Sequence, residues 1–101
     1  MTYKTYYPYR ATDNIHKYFI ITSTGKKVSV GAKGYEDYIL YYKDNGQDVA
    51  SEKKDAYINR HKNKENWTKS GIDTKGLWSR WLLWNKPTIK ESYEEIKKIF
   101  L

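Results

Sequence analysis

The sequence predicts an α+β fold: a small antiparallel sheet packed by about three helices, preceded by an extended N-terminal arm. Three observations lead there. Two short β-type runs flank a Thr-Gly-Lys turn, a capped amphipathic segment closes the chain, and three of the four tryptophans fall within seven residues between them. Tryptophan carries a large apolar area, so three so close together need a core or a partner to cover them.

Residues 1–15 read as an arm. Tyr3, Tyr6, Tyr7 and Tyr9 surround Pro8 and Arg10 without helical period and with few aliphatics. Such a segment stays loose unless something holds it. The single α+β domain is then expected over residues 16–101. Its first strand is predicted in Lys17-Tyr18-Phe19-Ile20-Ile21-Thr22-Ser23, which is β-branched and aromatic between polar ends. Thr24-Gly25-Lys26 turns the chain. Lys27 to Ala32 alternates with period two, Val28 and Val30 on one face and Lys27 and Ser29 on the other. Gly31 and Gly34 mark a sharp exit. Tyr38-Ile39-Leu40-Tyr41-Tyr42 is the candidate third strand, closed by the turn residues Asp44-Asn45-Gly46.

Ser51 is placed to cap a helix over Glu52 to Lys62, with Glu52 in the first turn, where the dipole favours an acid. Tyr57 and His61 share a face of it. Asn63 to Asp73 reads as a polar loop pinned by Trp67 and Ile72. Leu77 to Trp84 is apolar almost all round, as a buried helix is, so Trp78, Trp81, Leu82 and Trp84 are assigned to the core. After Pro87, Thr88 and Glu91 match a capping box. Ile89, Tyr93, Ile96 and Phe100 then form an apolar stripe, with Glu91, Glu94 and Glu95 ahead of Lys97 and Lys98.

The formal charge is +7 over 101 residues, and it is uneven. Residues 1–51 carry seven Lys/Arg against five Asp/Glu, residues 52–86 nine against four, and residues 87–101 three against three. The basic middle segment suggests an acidic partner. Lys53, Lys54, Arg60, Lys62, Lys64, Lys69 and Lys75 are its candidate contacts to nucleic acid or to an acidic protein. With no cysteine, disulfides and thiolate metal sites are excluded. No apolar run approaches the roughly 20 residues of a membrane span. The start lacks the apolar stretch of a signal peptide, so the expectation is a protein acting inside a cell or packaged there.

From Tyr18 to Phe100 the chain resembles an uncharacterised family of small basic proteins encoded by large DNA viruses of eukaryotes. The resemblance rests on Ser23-Thr24-Gly25-Lys26-Lys27-Val28, on Gly31 to Tyr38, on Tyr57-Ile58-Asn59-Arg60-His61-Lys62, on Glu65-Asn66-Trp67, and above all on Gly76 to Thr88. The Tyr-rich arm falls outside it. The resemblance implies a viral origin, with the virion, or host cytoplasm or a viral factory during assembly, as the setting. It brings no settled activity.

Catalytic patterns are absent. His16 and His61 are far apart, and no zinc-type spacing, Gly-x-Ser-x-Gly element or phosphate-binding Gly-rich loop occurs. The order of parts, a hairpin followed by a helix bearing Arg60 and His61, resembles that of GIY-YIG nucleases. The second-strand Tyr position holds Ser29 or Val30, and the metal-binding Glu has no clear counterpart, Glu65 and Glu91 being the candidates. Arg80, alone in an apolar helix, needs a partner, for which Glu65, an acid of the last helix, a phosphate or the carboxylate of a binding partner are candidates. The expected function is a small non-enzymatic viral structural protein, a minor capsid or cementing component, with no cofactor or metal. Its partners would be capsid or other virion proteins, contacted by an extended arm through Tyr3, Tyr6, Tyr7, Tyr9 and Arg10. The alternative is a nucleic-acid-binding protein that uses the basic 52–86 segment on DNA or RNA. A degenerate GIY-YIG-like nuclease fold is the third reading.

Overall fold

A computed structural model describes residues 2–101; Met1, the first residue of the expected arm, lies outside them. The hairpin forms as its pattern requires. Strand β2 (His16–Ile21) pairs antiparallel with β3 (Lys27–Ala32), Tyr18 opposite Val30 and Ile20 opposite Val28. The Gly25 amide donates to the Thr22 carbonyl at 2.9 Å, at a φ of +87° that suits glycine. Ile20, Val28 and Val30 are buried together on the inner face.

The third strand comes from the arm. Tyr9–Arg10 (β1) adds to the other edge of β2, Tyr9 opposite Phe19 and Arg10 opposite Tyr18. The expectation of a strand over Tyr38 to Tyr42 is corrected: Tyr38–Asn45 is helix α1. Asp37 decides this. One carboxylate oxygen accepts the Leu40 amide at 3.0 Å as an N-cap, and the other holds the Lys17 ammonium at 2.7 Å. Likewise Asp44-Asn45-Gly46 does not end a strand but joins two helices, Gly46 donating to the Tyr42 carbonyl. Helix α2 spans Gln47–His61, so it starts five residues before the expected Glu52, and Ser51 lies inside it rather than at its cap.

The Trp-rich segment begins as α3 (Lys75–Trp78), capped by Thr74, and widens into a π-helical turn over Ser79–Leu83. Helix α4 (Ile89–Phe100) has the expected Thr88 cap, Thr88 Oγ1 accepting the Glu91 amide at 3.2 Å; the reciprocal half of the box differs, the Glu91 carboxylate accepting from the Thr88 hydroxyl at 2.9 Å rather than from its amide. The core joins Ile20, Val28 and Val30 of the sheet to Leu77, Trp78, Leu82 and Leu83, and to Ile96 and Phe100 of α4.

Two attachments complete the molecule. On the outer face of the sheet, Phe19 is covered by Tyr3 and Tyr9 of the arm, at 5.5 and 5.6 Å between ring centroids. At the other end, the α1–α2 pair is joined to the body through Trp84, on which Tyr57 stacks at 4.6 Å and 8°. Tyr41 contacts the same indole at 6.2 Å.

Candidate nucleic-acid interface

The basic segment follows α2, the loop after it and the start of α3. Lys53 and Arg60 are seven residues apart on α2, so they share one helical stripe. Both are exposed, as are Lys62, Lys64, Lys69 and Lys75. Among the described residues none of these six reaches a carboxylate within 4 Å; the ion pairs formed are His16–Asp13, Lys17–Asp37, Lys86–Glu95 and Lys97–Glu94. Lys62, nine residues beyond Lys53, leaves the helix end in the opposite direction. The cations of the segment therefore do not share one helix face.

Lys54 departs from the set. It turns inward, donates to the Asn85 carbonyl at 3.1 Å and lies over the Tyr38 ring at 5.1 Å. Burial, reinforced by the nearby charges of Arg80 and Lys86, pushes its ammonium below the ordinary lysine range. It ties α2 to the turn after Trp84. Sequence alone hides this, because the carbonyl it meets is 31 residues away.

Arg80 also has a partner other than the expected one. Its guanidinium lies between the rings of Trp81 (4.7 Å) and Trp67 (5.7 Å), and Nη1 donates to the Trp84 carbonyl at 2.6 Å. Cation–π contact and one carbonyl take the place of a carboxylate. Burial lowers its pKa, against the opposing influence of Tyr57 and Glu95. Glu65 lies instead against Gly76, so closely that a Cβ there would overlap its carboxylate. His61 packs on Tyr57 at 4.4 Å. Burial raises the Tyr57 pKa, partly offset by its bond to Ser79.

The aromatic side chains of this region are engaged with one another. Trp78 is fully buried, its Nε1 donating to the Ile72 carbonyl at 2.7 Å. Leu82 is equally buried. Trp81 and Trp84 are half-buried, Trp81 edge-on to Phe100 and Trp84 under Tyr57. Trp67 is half-buried beside Tyr57. Exposed large aromatics are Tyr3, Tyr7 and Tyr35, away from the segment, and Tyr42 on α1, which packs along α2.

The arm residues turn to the chain's own body. Tyr6 stacks on Trp78, Tyr7 meets Tyr93 edge-on, and Tyr3 and Tyr9 cover Phe19. Tyr3 and Tyr7 keep outer edges in solvent, at 43% and 37% exposure, and Arg10 is exposed. The residues that would correspond to GIY-YIG positions do not converge. Tyr18 opens on a cavity with Arg10 and Asp37, His61 and Glu65 line a different one with Tyr57, and Arg60 faces solvent. No group of three His, Cys, Asp or Glu side chains suited to a metal occurs among the described residues. None of the helices described is long and apolar enough to cross a membrane.

Compared with known protein families, with curated proteins and with solved structures, the chain matches none.

Proposed function

We propose that this protein is a non-enzymatic binding protein that engages the phosphate backbone of a nucleic acid through its basic 52–86 segment. The observation that carries the reading is the group of six exposed cations, Lys53, Arg60, Lys62, Lys64, Lys69 and Lys75, without a carboxylate within 4 Å. An unneutralised group of this kind attracts a polyanion and releases its counterions on contact. The neighbouring aromatics are stacked internally, which leaves charge rather than base stacking as the attraction. Binding is then weakly sequence-specific and no tighter on single strands than on duplex. The test is titration of fluorescent single- and double-stranded DNA and RNA at about 50 and 200 mM salt, a range over which each phosphate contact made loses about threefold in affinity. Binding that ignores salt, or its absence at the lower concentration, refutes the reading.

A second reading, a minor capsid or cementing component, is supported by the resemblance to viral proteins and by the exposed edges of Tyr3 and Tyr7. It predicts the chain in purified virions, in contact with capsid subunits. The docking of the arm on its own body weighs against an arm that reaches far.

A further inference from the structure

Away from the basic segment, a cavity of about 270 Å³ opens between β1–β2 and the start of α1. Its apolar lining comes from Ala11, Ile39, Leu40, Leu83 and Ile89, with Tyr18. Its polar groups are three cations, Arg10, Lys17 and Lys33, and one carboxylate, Asp37. Asp37 is 4% exposed and is occupied by Lys17 and by the Leu40 amide. Lys17 is itself fixed: its ammonium donates to Asp37 and to the Tyr35 carbonyl, and its side chain is only 15% exposed. An ammonium has three N–H groups, so one remains. Arg10 has no acceptor among the described residues, and Lys33 has only the Asn14 side-chain oxygen at 3.4 Å. Neither is within 4 Å of a carboxylate.

The sequence builds this arrangement deliberately at Gly31. With a φ of +75°, it lets the Lys17 stem and Leu83 approach the strand; a Cβ there would lie 2.8 Å from Leu83 Cδ1 and 3.1 Å from Lys17 Cδ. The lysine stem is held across the glycine, and its head is delivered to the cavity.

We propose that this cavity binds a small organic anion, a carboxylate or phosphate head joined directly to a compact apolar group. The ion pair with Asp37 neutralises Lys17, leaving Arg10 and Lys33 to meet the head, while the apolar lining covers the body. The volume falls below that of drug-sized pockets, which limits the body to about one ring or a short branched chain. The proposal does not depend on nucleic-acid binding, because it uses none of the cations of the basic segment.

The test uses the full-length protein, ¹⁵N-labelled, titrated with benzoate and with phenyl phosphate, and with benzyl alcohol and inorganic phosphate as probes lacking the head or the body. The expected result is saturable binding of benzoate or phenyl phosphate, with shifts centred on Ala11, Lys17, Tyr18 and Leu40. Whichever binds identifies the head group. Arg10→Gln and Lys33→Gln, both at exposed positions, should each weaken it by about tenfold with unchanged melting temperature, as the loss of a charge-assisted hydrogen bond does. Binding of inorganic phosphate or benzyl alcohol as tight as that of the complete probe overturns the proposal. So does the absence of saturation, or binding indifferent to both substitutions.

Discussion

Replacing Tyr6 tests both how the arm is held and what its backbone stores. Tyr6 sits at a φ of 55°, a left-handed conformation that a bulky residue rarely adopts. Its surroundings hold it there. Its ring lies parallel to Trp78 (6.2 Å, 6°), its hydroxyl donates to the Asp73 carboxylate at 2.5 Å, and its amide donates to the Ile21 carbonyl at 2.8 Å. The amide bond survives substitution; the other two do not. An aromatic pair contributes about 0.5–1.5 kcal/mol beyond its area, and a hydrogen bond to a charged group about 1.5–3 kcal/mol. Tyr6→Ala should therefore cost about 2–4.5 kcal/mol, a large part of the roughly 5–15 kcal/mol that a domain has. Tyr6→Gly loses the same contacts but relieves the backbone, for which the left-handed penalty is about 1–2 kcal/mol. The glycine variant should thus be the more stable of the two, the reverse of the usual order, in which alanine gains about 0.4–1 kcal/mol through the unfolded chain. Urea unfolding followed by far-UV circular dichroism, fitted by linear extrapolation, measures both. A Tyr6→Ala variant as stable as the parent would mean that the arm is not held by these contacts. Equal or inverted stability of the pair would refute the backbone argument.

Two further outcomes follow from local geometry. At Gly71 the obstacle is space: a Cβ would lie 2.1 Å from the Asn66 carbonyl oxygen, a backbone atom that cannot swing aside. Gly71→Ala should cost about 1–3 kcal/mol as overpacking does, lowering the melting temperature by about 4–8 °C for each kcal/mol; an unchanged transition in thermal scans would count against it. Asp13 is held well below the usual carboxylate range, chiefly by its bond to the His16 ring and then by the amides of His16 and Ile15. A carboxyl depressed in the fold contributes stability that is complete above about pH 4, its unfolded range, and is lost as pH falls through the folded value. Asp13→Asn should therefore flatten stability against pH below about pH 4 and leave the shape of the curve above it alone; an acid limb identical to the parent's contradicts this.

What the sequence revealed depended on how local each cause was. The hairpin was legible because Val28 and Val30 alternate and Gly25 turns within a few residues. Helix α4 was legible because Thr88 and Glu91 cap it within one turn. The run from Tyr38 to Tyr42 was not, since its β-type composition competes with a cap at Asp37 that Lys17 fixes from 20 residues away. The cap itself was readable as an Asp before an apolar run. Strand β1, two residues long, is too short for any period to show. At the basic segment the excess charge was plain, but its division was not: Lys54 and Lys53 are neighbours in sequence, yet one turns to Asn85 and the other lies over Tyr41 at 5.6 Å on an exposed side chain.

The tryptophans connect this architecture to the proposed mode of binding. Trp78 joins three things at once: the core in which it is buried, the loop through Ile72, and the arm through Tyr6. Six residues on, Trp84 receives the α1–α2 pair through Tyr57 and Tyr41, while Arg80 between Trp67 and Trp81 anchors the loop from the other side. A chain with few aliphatics thus spends its indoles as joints. An indole stacked on Tyr57 is not available to a nucleobase, and exposing it would release the helical pair that carries Lys53 and Arg60. Structural use of the aromatics and base stacking are therefore exclusive in this segment, and the cations are left to act alone. That is why charge reversal at Lys53, Arg60 and Lys64 should flatten the salt dependence of binding, without altering any preference among sequences, in proportion to the phosphate contacts removed.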